Sequence, residues 1–199
     1  LTERTSLDTA VAEWIADDAT ATATYGDINT WDVSAITDFS DLFNGATGFN
    51  SDISSWDVSS GTNFGSMFSL ADAFDQNIGD WDVSSGTYFS GMFSGADSFN
   101  QDIGSWDVSS ASDFSNMFNG ADAFNQNIGS WDVSSGNNFY NMFSDADAFN
   151  QDISYWNVSE TASLNGMFTD ADLMISNFGF SSTPTSADFN KIRITDRAS

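Results

Sequence analysis

The sequence predicts an α/β repeat solenoid, with a parallel sheet on one face of the coil and short helices on the other. The first observation is a strict 25-residue period, seen most clearly in Trp31, Trp56, Trp81, Trp106, Trp131 and Trp156. The second is that the six units follow one another without insertions, which indicates that each coil stacks directly on the last. The third is that every unit contains a strand-like and a helix-like pattern of apolar residues.

The first part of each unit predicts a short strand. It has the pattern Ile-x-x-Trp-x-Val, as in Ile103, Trp106 and Val108. Apolar residues that alternate with polar ones at a period of two are typical of a strand with one buried face. The same alternation places the Trp column inside the core, which we favour over a platform on which sugars stack.

The second part of each unit predicts a short helix. Phe114, Met117, Phe118 and Ala121 follow the spacing i, i+3, i+4, i+7, which places four apolar side chains on one helix face. A Phe-Asn pair then predicts a turn into the next unit. In five units the residue before the helix is a good N-cap, whose side chain would accept from free backbone N–H groups: Thr37, Thr62, Thr87, Ser112 and Asn137.

The two ends depart from the repeat and are predicted to cap it. The chain divides into a capping helix with its approach to the coil, six repeats, and a C-terminal cap or the start of a truncated segment: 1–25, 26–175 and 176–199. Helical spacing predicts the capping helix over 6–18, with apolar residues at Leu7, Val11, Trp14 and Ile15. The C-terminal cap would take its apolar cover from Phe178, Phe180, Phe189 and Ile192.

Composition and charge exclude several classes of function. Four Lys and Arg residues stand against 29 Asp and Glu, so the formal charge of −25 repels nucleic acids. An apolar content of 40% argues against disorder. The absence of His and Cys excludes imidazole and thiolate metal sites and Ser-His or Cys nucleophiles. No apolar run approaches the roughly 18 residues of a membrane span. We do not expect an enzyme, because every carboxylate pair recurs around the stack and no pair has a distinctive environment.

The complete unit resembles a known repeat. Phe99-Asn-Gln-Asp-Ile-Gly-Ser-Trp-Asp-Val-Ser-Ser, followed by Phe114-x-x-Met-Phe-x-x-Ala, is similar to the bacterial surface-protein repeat of unknown function, a 25-residue family related to BspA-type leucine-rich repeats. The resemblance covers about residues 7–175. It implies a right-handed, leucine-rich-repeat-like coil in an extracellular or cell-surface protein, often part of an adhesin, and it brings no catalytic residues. The sequence departs from the family where an apolar residue usually precedes the helix cap: Gly61, Gly86, Ala111 and Gly136.

The residues between Ile, Trp and Val would form the outer face of the predicted sheet. Strands lie about 4.8 Å apart, so two neighbouring carboxylates repel by about 0.9 kcal/mol in water. Each Asp either accepts a hydrogen bond from the Ser two residues on, in an Asx-type turn, or contributes to a ligand-binding face, and the two interpretations are compatible. The candidate binding residues are Asp57, Asp82, Asp107, Asp132, Ser59, Ser84, Ser109 and Ser134.

A second group of oxygen-bearing side chains is a candidate for calcium binding. The run Gly-Ala-Asp-x-Phe-Asn-x-Asp places two carboxylates and an amide within six residues, and calcium prefers such ligands. Its order matches neither an EF-hand loop nor the glycine-rich calcium repeat, and solvated turn carboxylates are the alternative. No other cofactor is expected. The candidate metal ligands are Asp97, Asn100, Asp102, Asp147, Asn150 and Asp152.

These patterns predict a non-enzymatic extracellular binding or adhesion module. Its Asp/Ser face would hold a peptide, a glycan or a basic protein, and the segment would be a monomeric part of a larger chain. The alternative is a stiff acidic stalk that holds other domains away from the cell. Ice or mineral binding by a regular face is a third hypothesis, and the dense charge suits mineral cations better than ice.

The melting temperature is expected to rise with NaCl, because salt limits the range of repulsion to about 8 Å at physiological ionic strength. Thermal melts in EDTA, calcium, magnesium and matched NaCl measure this effect. A rise specific to sub-millimolar calcium would indicate metal sites, whereas equal shifts in every salt would indicate screening. A melting temperature that stays flat from low to high NaCl would contradict the expectation.

Overall fold

The computed structural model describes residues 1–189. The predicted C-terminal cap is therefore described only as far as residue 189, and Ile192 with the basic residues Lys191, Arg193 and Arg197 lies outside the described residues. The elements, in chain order, are helices α1 and α2, a 3₁₀ turn, helix α3 and a second 3₁₀ turn: Arg4–Ala16, Asp18–Tyr25, Ile28–Thr30, Asp172–Phe178 and Ser186–Asp188. Six stacked coils of 25 residues fill the chain between α2 and α3, and the last of them runs into α3.

The predicted α/β solenoid with a parallel sheet and short helices is wrong. Within residues 1–189 the structure contains no strand, and it contains no α-helix between Tyr25 and Asp172. Neighbouring coils meet through single-residue parallel bridges, which lie where the helices were predicted to begin and not along Trp-x-Val. The bridges connect Asp38, Asn63, Tyr88, Asp113, Asn138 and Ser163 in one row.

Each coil is a succession of tight turns. In the third coil, six backbone N–H groups donate to the carbonyl three residues earlier, at 2.8–3.2 Å. A hydrogen bond over three residues is the signature of a β-turn, whereas an α-helix closes over four. The six pairs, donor first, are Trp81 and Ile78, Gly86 and Val83, Met92 and Phe89, Ser94 and Gly91, Ala96 and Phe93, and Phe99 and Ala96.

The coils are joined by the N–H groups that alternate with these turn donors. In the third coil they belong to Phe89, Gly91, Phe93 and Gly95, and they donate at 2.8–2.9 Å to carbonyls of the fourth coil. Every second N–H therefore donates to another coil, whereas in an α-helix each N–H donates to the carbonyl four residues earlier. The acceptors are the carbonyls of Asp113, Ser115, Met117 and Asn119.

Two residues with left-handed backbone conformation in each coil produce this alternation. They stand four residues apart, with φ between 52° and 74°. Ten of the twelve are Gly, Asn or Asp, which tolerate this conformation best, and the exceptions are Ser66 and Leu70. A left-handed residue ends an α-helix, so the apolar spacing of the second half-unit packs onto turns. The positions are Asp41, Gly45, Ser66, Leu70, Gly91, Gly95, Asn116, Gly120, Asn141, Asp145, Gly166 and Asp170.

Columns of aromatic side chains form the core, and the prediction that Trp lies inside is confirmed. Trp106 is 4% exposed, and its indole N–H donates to the carbonyl of Ile78 in the preceding coil at 3.1 Å. Aromatic pairs add about 0.5–1.5 kcal/mol beyond burial of their area. In the most regular column the ring centroids of successive residues lie 5.4–5.8 Å apart: Phe43, Phe68, Phe93, Phe118, Phe143 and Phe168.

The predicted helix N-caps have a different role, because there is no helix to cap. The hydroxyl of Thr62 donates to the carbonyl of Thr37 at 3.1 Å, and that of Thr87 donates to the carbonyl of Thr62 at the same distance. Ser112 donates in the same way to Thr87. These side chains therefore add a second contact beside the backbone bonds between coils.

The small residues that depart from the family pattern make room for phenylalanine. A Cβ atom at Gly86 would lie 2.4 Å from Cζ of Phe89, which folds back over the turn. Ala111 carries that methyl group in the fourth coil, where the Phe89 and Phe114 centroids lie 6.2 Å apart. The flanking pairs in the same column, with Phe64 and Phe139, are separated by 5.3 Å. Ala111 is thus accommodated by a wider local stack.

Helix α1 (Arg4–Ala16) confirms the helix predicted near the N-terminus, and it covers the first coil. Leu7, Val11 and Trp14 are buried as the spacing predicted, whereas Ile15 is 46% exposed. Within residues 1–189, none of the helices has the length and apolar character needed to cross a bilayer.

Arg4 stands in for a coil before the first one. In later coils the carbonyls of the bridged segment accept from the N–H groups of the preceding coil. In the first coil, the guanidinium of Arg4 donates to the carbonyl of Asp38 at 2.7 Å and to that of Ser40 at 2.5 Å. Its Nε donates to Asp8, one turn along α1, at 2.6 Å. One side chain therefore satisfies two carbonyls that lack a preceding coil.

The other end of the stack is covered by residues after α3 (Asp172–Phe178). The N–H of Phe168 donates to the carbonyl of Ser182, and that of Gly166 donates to the hydroxyl of Thr183, both at 3.0 Å. The ring of Phe180 lies 4.9 Å from that of Phe168, measured between centroids. Phe189 packs on Phe180 at 5.0 Å, so this segment supplies both the acceptors and the apolar cover that the sixth coil needs.

Leu70→Gly is expected to stabilise the fold by about 1 kcal/mol, because a left-handed conformation costs an L-residue about 1–2 kcal/mol. Leu70 has φ 55° and is 54% exposed, so little packing is lost. Urea unfolding measures the change. Leu70→Ala is the control, since it removes the side chain and keeps the backbone penalty. Equal stability of the two variants would argue against strain at this position.

Candidate binding surface

The eight candidate Asp and Ser residues form one row of Asx-type turns, as the first interpretation predicted. Each Asp is exposed, and its Oδ1 accepts the backbone N–H of the Ser two residues on at 3.0–3.1 Å. The hydroxyls of Ser59 and Ser109 donate to the same oxygens at 2.6 Å. The pairs are Asp57 and Ser59, Asp82 and Ser84, Asp107 and Ser109, and Asp132 and Ser134.

This Asp/Ser row does not lie on a sheet, which corrects the predicted location. Among residues 1–189, no backbone hydrogen bond joins the Trp-x-Val segments of neighbouring coils. The structure nevertheless brings the row together, since Asp82 and Asp32 act electrostatically on Asp57, and Asp107 acts on Asp132. The row is held by turns at the same position of successive coils.

The serines keep the row ionised. The hydrogen bond from the Ser109 hydroxyl, followed by that from its backbone N–H, holds the pKa of Asp107 below its usual value. The same contacts lower the pKa of Asp57, and there the negative charges of Asp82 and Asp32 partly oppose them. Arg4 is the one basic residue in the described range and lies on α1. Among residues 1–189, no cationic side chain is paired with a carboxylate of the row.

A second acidic column contains a carboxylate whose pKa is raised, the opposite of the shift in the Asp/Ser row. It follows the buried Ala of each unit and consists of Asp72, Asp97, Asp122 and Asp147 in four coils. Burial raises the pKa of Asp122, and the charges of Asp97 and Asp147 raise it further. No serine contact offsets this repulsion at Asp122, so ionisation of Asp122 is disfavoured, whereas serine contacts favour ionisation in the Asp/Ser row.

The six candidate calcium ligands are not gathered into a metal site. Oδ1 of Asn100 accepts the N–H of Asn125 at 2.9 Å and the side-chain amide of Gln126 at 3.0 Å. Asp102 and Asp152 make Asx turns, Asn150 accepts from Asn177, and Asp97 and Asp147 belong to the second acidic column. Over residues 1–189, no group of three or more acidic side chains is arranged to hold a metal ion. The calcium hypothesis therefore has no assembled site.

Glutamines at one position of successive coils form a hydrogen-bonded ladder at the corner of the stack, here called the corner ladder: Gln76, Gln101, Gln126 and Gln151. The amide of Gln101 donates to both the carbonyl and Oδ1 of Asp75 in the preceding coil, at 3.0 and 2.9 Å. Gln126 makes the equivalent pair of contacts with Asn100. This ladder fixes the corner where each coil passes into the next.

Sequence reasoning missed a cleft beside the first coil. It has a volume of about 700 Å³ and lies between the α1–α2 junction and the first corner. The signal in the sequence is a break in two columns, since Thr47 in the first unit stands in place of Asp, and Ser51 at the start of the second unit stands in place of Gln. The lining residues include Trp14, Ile15, Asp17, Asp18, Gly48 and Asn50.

The fold and the regular polar columns define a repeat protein built from stacked 25-residue coils. The chain belongs to the family described as Mycoplasma protein of unknown function, DUF285, which matches residues 10–125 and again residues 103–192. The match supports a repeat family, and the relationship to BspA-type leucine-rich repeats stays a prediction. No curated protein and no solved structure matches the chain.

The two acidic columns predict opposite effects of charge removal. Asp107→Asn is expected to lower the melting temperature at pH 7, because a lowered pKa means that the ionised form stabilises the fold. That contribution is present above the ordinary value of 3.8 and is lost as the pH falls through the folded pKa. Asp122→Asn is expected to raise the melting temperature, because a raised pKa means that ionisation destabilises the fold.

The penalty at Asp122 exists above its folded pKa and disappears as the pH falls towards 3.8. Thermal melts of both variants and the parent protein from pH 7 to pH 3 measure these effects. Both differences from the parent should shrink at the acidic end. Shifts of the same sign at pH 7 would show that net charge, and not the local hydrogen bonds, decides stability.

Proposed function

We propose that this protein is a non-catalytic binding module of a cell-surface protein, and that its Asp/Ser row holds a basic partner. The observation that carries the proposal is a row of evenly repeated, exposed carboxylates with lowered pKa values, beside which residues 1–189 place no cationic side chain. An uncompensated row of like charges attracts a partner of opposite charge and speeds its association. The extracellular location and adhesive role are supported by the family resemblance.

The geometry of each turn leaves one oxygen of each carboxylate available to a partner. The backbone hydrogen bonds that Asp57, Asp82, Asp107 and Asp132 accept all use Oδ1. Arginine binds a carboxylate best through both oxygens, whereas the lysine ammonium acts as a point charge that one oxygen can accept. The row therefore favours a lysine-rich peptide or protein surface over a neutral glycan.

A structural stalk is the second candidate, and the continuity of the stack favours it. Across residues 1–189, no buried side-chain nitrogen or oxygen lacks a hydrogen-bond partner. The backbone hydrogen bonds between coils, the aromatic columns and the corner ladder run through successive coils. Such a stack resists bending without any ligand, and a stalk would show no saturable binding along the row.

The test compares two variants that remove the same charge. One replaces the four row residues by Asn, and the other replaces the second acidic column: Asp57, Asp82, Asp107 and Asp132 against Asp72, Asp97, Asp122 and Asp147. Asn maintains the Asx turn, as Asn77 does by accepting the N–H of Gly79 at 3.0 Å. Calorimetric titration with a lysine-rich peptide in physiological salt is the measurement.

The row variant is expected to bind at least about tenfold more weakly than the parent, which corresponds to about 1.4 kcal/mol. The matched column variant is expected to stay within about twofold of the parent, about 0.4 kcal/mol. Equal loss in both variants would mean that net charge alone attracts the peptide. No saturable binding by the parent protein would favour the stalk.

A further inference from the structure

At the corner of the stack, each coil uses two backbone N–H groups to bind the coil before it. The N–H groups of Ala73, Ser98, Ala123 and Ala148 donate to main-chain carbonyls of the preceding coil at 3.1–3.3 Å. Two residues further on, the N–H groups of Asp75, Asn100, Asn125 and Asn150 donate to the side-chain oxygen of the Asn or Asp one period earlier, at 2.9–3.0 Å. Both acceptors come from one turn, three residues apart.

The first coil has the same two donors and no preceding coil. Gly48 stands one period before Ala73, and Asn50 stands one period before Asp75. Neither N–H has an acceptor among residues 1–189. Arg4 satisfies the bridged segment of the first coil, and α1 covers its apolar middle, but neither supplies an acceptor for these two N–H groups. The corner therefore has two N–H donors whose spacing matches the two acceptors that a preceding turn would supply.

These two donors line the cleft of about 700 Å³ beside the α1–α2 junction. Its apolar side includes Ile15, which is 46% exposed although it belongs to the helix that covers the core. The indole N–H of Trp14 donates to the hydroxyl of Ser51 at 2.9 Å, and this hydrogen bond holds the Trp14 ring in place next to Asn50. The cleft thus combines apolar contact with directed hydrogen-bond donors, as small binding sites do.

We propose that this cleft binds a peptide turn that takes the place of a preceding corner. A main-chain carbonyl of the peptide would accept the N–H of Gly48, and the side-chain oxygen of an Asn three residues later would accept the N–H of Asn50. The apolar residue before that Asn would lie beside Ile15. An Asn is preferred to an Asp because Asp17 and Asp18 also line the cleft and repel a carboxylate.

The last corner of a folded second copy of the chain is a poor occupant. The carbonyl in the position of the first acceptor there belongs to Asp147, whose carboxylate Asp17 and Asp18 would repel. The occupant is therefore an exposed peptide segment of another partner. The proposal is independent of the Asp/Ser row, because it concerns a different surface and a neutral ligand.

The experiment uses a blocked peptide that copies residues 45–51, Gly-Ala-Thr-Gly-Phe-Asn-Ser, which is a neutral corner of this chain. The matched control peptide carries Leu in place of its Asn. Amide NMR spectra of the labelled protein are recorded during each titration. We expect saturable shifts of the Gly48 and Asn50 amide signals with the first peptide, and binding of the control at least about tenfold weaker, about 1.4 kcal/mol.

A protein variant checks the location. A Cβ atom at Gly48 meets no atom within 4 Å, and its φ is not positive, so the backbone accepts a side chain there, and Gly48→Trp is chosen to place a large ring at the cleft. This variant should melt like the parent and lose the peptide response, while the Asp/Ser-row variant should bind the neutral peptide like the parent. Absent shifts at Gly48 and Asn50, equal binding of both peptides, or full binding by a folded Gly48→Trp variant would each overturn the proposal.

Discussion

The structure depends on the alternating direction of backbone N–H groups along one segment of each coil. Half of them close turns within the coil and the other half bind the next coil, as Ser94 and Gly95 do in the third coil. In every coil this alternation accompanies left-handed residues at two positions four residues apart, which prevent the segment from closing into an α-helix. The bridges, the aromatic columns and the corner ladder all follow from the fixed register of 25 residues per coil.

This register also explains how a chain with a formal charge of −25 remains compact. Many carboxylates are used as turn elements, where the pKa of Asp82, for example, is lowered by its hydrogen bonds with Ser84. The remaining repulsion is set against a continuous aromatic core, in which Phe93 and Phe118 stack at 5.7 Å. Where serine contacts are missing, as at Asp122, the repulsion is visible as a raised pKa.

The period and the core columns could be predicted from the sequence, since a residue such as Trp106 or Phe118 keeps its place in every unit. The Asx turns were also predicted, because they depend on local spacing. The helices were predicted wrongly, because turns with a left-handed residue every fourth position bury the same side chains as a helix. Asn116 and Gly120 carried the signal that separates the two structures.

The sheet was predicted wrongly for a related reason. Trp-x-Val alternates between buried and exposed residues, as a strand does, but alternation alone does not specify a hydrogen-bonded neighbour. The hydrogen bonds between coils form along the segment that begins at the bridged residue, such as Tyr88. The same segment contains the left-handed residues. The cleft beside Gly48 was beyond sequence reasoning, because it depends on where α1 and α2 lie on the first coil.

Amide hydrogen exchange of the native protein tests the alternation of N–H directions most directly. The account predicts slow exchange at Gly91 and Gly95, whose N–H groups bind the next coil at 2.8 Å. It predicts fast exchange at Asp82 and Asp107, whose N–H groups have no acceptor in the described part of the chain. Protection of Asp82 and Asp107 equal to that of Gly91 and Gly95 would contradict it, because a parallel sheet along Trp-x-Val requires that result.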